Sequence, residues 1–205
     1  EKLRVLATKD TNKLVRYYEG ILNTRSSLNE TASRYGYSLA LAEAGQFTEA
    51  RKVIKGLIDS DTDRLSYQIA LAKIEISVGQ LSSALNIYQQ SQKIYPDDQA
   101  LTLNQVDALL RANLPRQAAH LLLKQLELGY KSRGLYKLLA QAKQDMGEKS
   151  ESHMWLAEYY YNSGRLERAA DQLRIAADLA RGDEFQLAKI SARLRDVEVT
   201  LDKLE

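Results

Sequence analysis

The chain of 205 residues has no cysteine. Disulfides, thiol catalysis and cysteine zinc sites are therefore excluded, while nothing follows about the compartment. Proline occurs twice, at Pro96 and Pro115, so long helices can run almost without obstruction. Only two histidines are present, His120 and His153, and neither has a Glu and a second His at the H-E-x-x-H spacing that sets two ligands on one helical face. Both are expected to be partly exposed helix residues. The ten glycines form neither G-x-G-x-x-G nor a G-x-x-x-x-G-K-[ST] phosphate loop. No apolar run is long enough to span a bilayer. The formal net charge of +2 is too small to point to nucleic acid. No nucleophile–base pattern stands out, and no catalytic or metal residue is assigned. The chain opens Glu1-Lys-Leu-Arg4, without Met or a signal peptide, and is expected to be a mature or excised fragment.

What is present is a beat. Gly45, Gly79, Asn113 and Gly147 follow one another at intervals of 34 residues, and Ala50, Ala84 and Ala118 each come five residues after the first three. A 34-residue period marks helix–turn–helix solenoid repeats of the tetratricopeptide type. The spacing of apolar residues agrees. Helices are expected over 32–43, 47–58, 65–78 and about 82–95, with Asp59-Ser-Asp-Thr-Asp63 as a loop and cap and Pro96-Asp-Asp98 as a stop. The third repeat is expected from Gln99 to about Lys131, with Asn113 in the left-handed turn and Pro115 opening its second helix. Gly129 to Gly134 reads as a looser connector.

The beat then changes. Gly147 keeps the step, but position 152 is Ser, and a strong match appears 17 residues later at Gly164-Arg-Leu-Glu-Arg-Ala169. The helix from His153 to Asn162 therefore both closes one repeat and opens the next. The pattern reads as one continuous array with a shared helix; a break between two subdomains is the alternative. A last helix over about 183–201, carrying Phe185, Leu187, Ile190, Leu194, Val197 and Leu201, is expected to cap the stack. The first 24 residues form an atypical helical segment around Leu14, Val15, Tyr18, Ile21 and Leu22. The organisation expected is one domain over 1–205: a segment at 1–30, repeats over 31–180 with the slip near 147–164, and a cap over 181–205.

Twelve tyrosines stand against two phenylalanines. Tyr67, Tyr88 and Tyr159 fit repeat positions. Tyr17, Tyr18, Tyr130 and the run Tyr159-Tyr-Tyr161 cannot all be core, because adjacent helical residues point apart. Some are expected to face water or a partner. Charge is uneven as well: eight basic and three acidic residues lie between Arg111 and Lys149, against eight and eleven over 150–205. A solvated helix face and an acidic partner segment both account for this.

The units resemble tetratricopeptide repeats through Gly45-Gln-Phe47 with Ala50, Gly79-Gln-Leu81 with Ala84 and Pro96, Asn113 with Ala118, and Gly164-Arg-Leu166 with Ala169. The resemblance implies an all-α superhelical solenoid that binds proteins and seldom does chemistry. It also implies a concave face on the first helix of each repeat, which would carry Tyr35, Lys73, Asn104, Asp107, Arg111, Lys137 and Gln141. The two-carboxylate clamp for chaperone tails is not expected. Its Lys and Asn places correspond here to residues such as Tyr35, Leu39, Ile69, Ala70 and Lys73, and only Asn104 fits.

A narrower resemblance rests on Arg4-Val-Leu-Ala7, Tyr35-Gly-Tyr-Ser-Leu-Ala40, the half-repeat slip, and the terminal Arg193-Leu-Arg195 helix. It is to the C-terminal repeat domain of the periplasmic beta-barrel assembly-enhancing protease family of Gram-negative bacteria. That resemblance implies a periplasmic location, protein partners among outer-membrane barrel proteins and their assembly machinery, and zinc only in a peptidase half not found here. No cofactor is expected in this chain, and no proteolytic activity carries over to it. The alternative is a stand-alone scaffold or lipoprotein of an envelope or secretion complex.

Overall fold

The computed structural model describes residues 10–24 and 29–203. Arg4 to Ala7, one stretch behind the family resemblance, lies outside them. The described residues form eleven helices and no strand. They fall into two compact units, Glu1–Leu101 and Thr102–Glu205.

The first unit contains α1 (Thr11–Thr24), α2 (Glu30–Glu43), α3 (Phe47–Ser60), α4 (Leu65–Ser77), α5 (Leu81–Ile94) and the start of α6 (Gln99–Arg111). Each helix buries its apolar stripe against its sequence neighbours. The core collects Leu14, Val15 and Tyr18 from α1, Ala40 and Leu41 from α2, and Ile54 and Leu57 from α3. Ala50 and Ala84 are wholly buried, as expected of small residues at close helix crossings. The Tyr18 ring packs on the backbone of Gly36, where an added Cβ would come to 2.5 Å from its Cζ. Tyr37 donates to a Glu19 carboxylate oxygen at 3.0 Å and ties α1 to α2 a second time. Burial, and then Glu19, push the Tyr37 hydroxyl up to about 12.

The turns follow one design. The N–H of Gly45 reaches the Ala42 carbonyl at 3.1 Å and that of Gln46 reaches Leu41 at 2.8 Å. This closes the helix end with a left-handed residue. Gly45, Gly79, Gly147 and Gly164 all have positive φ, and Asn113 takes the same role at φ 57. Two expectations on connections need correction. Asp59 and Ser60 belong to α3, and no Asp side chain caps α4, whose N-cap is Arg64. Gln68 and Tyr95 hold that connection instead, donating to the Thr62 and Asp63 carbonyls at 2.9 and 2.5 Å. Gly134 likewise lies inside a helix, because the Ser132 hydroxyl oxygen accepts from the Leu135 N–H at 3.2 Å and starts the helix early.

The second unit continues with the rest of α6, then α7 (Pro115–Glu127), α8 (Arg133–Asp145), α9 (Lys149–Tyr161), α10 (Leu166–Leu179) and α11 (Glu184–Asp202). Pro115 sits in the first turn of α7, where no internal hydrogen bond is lost. At the slip, α9 packs on both α8 and α10. Small polar residues make this double contact. Ser152 donates to the Ala140 carbonyl of α8 at 2.8 Å, and Ser150 to the Ala176 carbonyl of α10 at 2.9 Å, both buried. Lys143, nearly buried, reaches Glu148 at 2.6 Å and Glu151 at 2.8 Å. Burial alone would pull its ammonium pKa down, but the two carboxylates outweigh that and raise it. Phe185 does not join the core of α11: it is 84% exposed beside the Asp183 N-cap, and Ile190 and Val197 carry the packing.

Candidate protein-binding site

In the first unit, Tyr35 on α2 and Tyr67 on α4 meet with ring centroids 5.2 Å apart. The Arg64 guanidinium lies 5.3 Å from the Tyr67 centroid, a cation–π contact. The Tyr35 hydroxyl donates to the Ser66 carbonyl at 3.4 Å, and its pKa is raised by burial against the lowering effect of that bond. These side chains line a cleft of about 370 Å³ at the N-terminal ends of the two helices.

The second unit has a larger groove, about 460 Å³, lined chiefly by α9 and α11. The rings of Tyr136 and Trp155 lie nearly parallel along it, 16° apart with centroids at 6.2 Å. Leu126, Met154 and Ala192 add apolar surface. Arg193 of α11 holds Glu158 of α9 by two hydrogen bonds, at 2.6 and 2.9 Å, with its guanidinium 4.4 Å from the Tyr161 ring centroid. A two-pronged pair of this kind fixes geometry as well as charge. The hydrogen bond to Glu158 raises the Arg193 pKa further. Burial raises that of the Tyr136 hydroxyl, helped by Glu158 and opposed by Arg193. Lys131, Lys189 and Asp196 complete the lining.

The side chains expected on a concave face are dispersed. Tyr35 joins the first cleft. Lys73 on α4 is exposed and Asn104 on α6 half-buried. Asp107 and Arg111 pair with each other at 2.7 Å. Lys137 and Gln141 are exposed on α8, but neither lines the large groove. The run Tyr159 to Tyr161 is half-buried throughout, whereas Tyr17 and Tyr130 are the exposed tyrosines.

The sequence reading missed Trp155, Arg193 and Glu158. The doubly shared helix was its one signal. Once Gly164 restarts the frame, α9 and α11 become successive first helices, and both line the large groove. Among the described residues no group of three or more His, Cys, Asp or Glu could hold a metal. No helix among them is long and apolar enough to cross a membrane.

No known family model matches the chain. It is similar to the beta-barrel assembly-enhancing protease of Escherichia coli (strain K12), 26% identical over 165 residues, which is 80% of this chain and 34% of that protein. The chain thus spans about a third of the length of the curated relatives it matches. Its fold is similar to a crystal structure of MamA, with a TM-score of 0.58, 16% identity, and 81% of this chain and 96% of that one covered. A thermophilic TPR protein of Thermus thermophilus gives 0.57 and 16%, covering 96% and 95%. The chain has a tetratricopeptide-type all-α fold.

Proposed function

We propose that this chain recruits outer-membrane barrel proteins, or members of their assembly machinery, to a periplasmic zinc metalloprotease and chaperone of which it is the repeat domain. The groove on the second unit carries this reading. Its half-buried Trp155, backed by the buried Tyr136 ring, offers an apolar surface together with Leu126, Met154 and Ala192, and the Arg193–Glu158 pair fixes the two helices beside it. Such a surface suits an extended or unfolded chain better than a folded domain. The similarity to the assembly-enhancing protease supports the partner class and the periplasm. Any catalysis, and its zinc, belongs to sequence outside these residues.

The exposed cations Lys73 and Lys137 would steer an acidic or polar partner, each within its own unit. Arg111, paired with Asp107 at 2.7 Å, belongs to the same proposed set. Attraction of this kind is screened over roughly 8–10 Å at physiological salt, so association should slow as salt rises.

Photo-crosslinking in the full-length protein tests the proposal. A crosslinker at exposed Lys189 or Ala192 should give adducts with barrel proteins or assembly factors in the cell envelope, and one at Arg181, on the α10–α11 turn, should not. Equal adducts at both places, or none at the groove, would remove the groove as the recruiting surface.

A further inference from the structure

Trp155 is the single tryptophan of the chain, and it lines the large groove. The charges of the groove are unevenly committed. Arg193 and Glu158 neutralise each other. Lys131 and Lys189 form no ion pair among the described residues, and against them stands only Asp196. The groove therefore combines an apolar floor, made by Leu126, Met154, Trp155 and Ala192, with an excess of positive charge.

We propose that this groove takes a short extended peptide segment bearing a large apolar side chain next to an acidic one. The apolar side chain covers the exposed part of the Trp155 ring beside Met154. The acidic neighbour answers Lys131 and Lys189. A basic segment is disfavoured, because both lysines would repel it and Glu158 is already engaged by Arg193. This deepens the recruitment reading and rests on the chain being a polypeptide binder.

The lone tryptophan makes the test direct, because its emission reports this groove and nothing else. The probe is a blocked hexapeptide, Gly-Ser-Phe-Asp-Ser-Gly, titrated into the 205-residue chain. A saturable blue shift is expected. Replacing the peptide Phe by Ala should weaken binding at least about tenfold, from lost apolar burial and ring contact. Replacing its Asp by Asn should weaken it about three- to five-fold, the range for exposed charge pairs. In the variant carrying Lys131→Glu and Lys189→Glu that preference should vanish or reverse, while an unchanged far-ultraviolet circular dichroism spectrum and a cooperative thermal transition show that the fold is intact.

No shift with any peptide, or equal affinity for all three, overturns the proposal. So does an emission shift on concentrating the chain without peptide, which would mean that a second copy fills the groove. If the titration fails while envelope crosslinks form at Lys189, the peptide preference is wrong and recruitment stands. If the peptides discriminate as expected but no envelope crosslink forms, the preference stands and the recruitment reading falls.

Discussion

The two units solve the same packing problem with different chemistry. In the first, the beat runs undisturbed from Gly45 to Gly79, the close crossings fall at Ala50 and Ala84, and the tie from α1 to α2 is the Tyr18 ring on Gly36. In the second, Gly164 restarts the frame half a repeat after Gly147, and α9 must satisfy neighbours on both sides. Serine hydroxyls and a lysine between two glutamates do there what alanine does in the first unit. A regular repeat relies on size at its close crossings, with ties such as Tyr37–Glu19 and Arg51–Glu75 beside them. A shared helix meets two partners whose frames disagree, and directed hydrogen bonds fix its position where interchangeable apolar contacts would leave it free to slide.

The sharpest test of the size argument is in the first unit. Gly36→Ala should destabilise by about 1–3 kcal/mol, because the new methyl meets a ring that cannot move aside. Gly56→Ala, in α3 with nothing within 4 Å of its Cβ position, should instead stabilise by about 0.5–1 kcal/mol. Urea denaturation measures both, and the same sign for the two would break the assignment of Tyr18 to that contact.

In the second unit, Lys143→Met should cost about 1–2 kcal/mol at neutral pH. That is less than for a fully buried pair, since both carboxylates reach solvent. The folded-state pKa of Lys143 is raised above its ordinary 10.5, so its contribution is complete below that pH and disappears as pH climbs through the folded value. Denaturation curves of the wild type and the variant should therefore converge only in strong alkali. A constant gap across that range would assign the cost to packing.

Ser152→Ala comes next. Repeat logic places alanine at this position, so the pattern alone predicts a neutral or favourable change. The hydrogen bond to the Ala140 carbonyl predicts a loss of about 1 kcal/mol and faster amide exchange near the α8–α9 contact. The smallest effect is at the turn. Asn113→Gly relieves a left-handed backbone and should stabilise by a few tenths of a kcal/mol, read as a slight rise in Tm.

Much of the fold was legible because helical repeats are locally encoded. Glycine or asparagine at a left-handed turn, alanine five residues on and apolar spacing between them are all short-range signals, and each turn fell where they placed it. The capping of α4 was not legible, because Gln68 and Tyr95 reach the connection from outside it. Nor was the exposure of Phe185, which spacing alone put on the buried side of α11. The large groove was not legible: counting from Gly147 led to Lys137 and Gln141, whereas the groove lining includes Trp155 and Glu158, one helix further on.

By itself, then, the sequence determined the helix–turn–helix period, the turn chemistry and the close-packed alanines, since each depends on neighbours a few residues away. Which of two overlapping frames α9 obeys, which carboxylates hold Lys143 and Arg193, and that a lone tryptophan faces a groove were decided only in the tertiary structure. Those outcomes depend on contacts such as Glu158 with Arg193, 35 residues apart, and no local pattern records them.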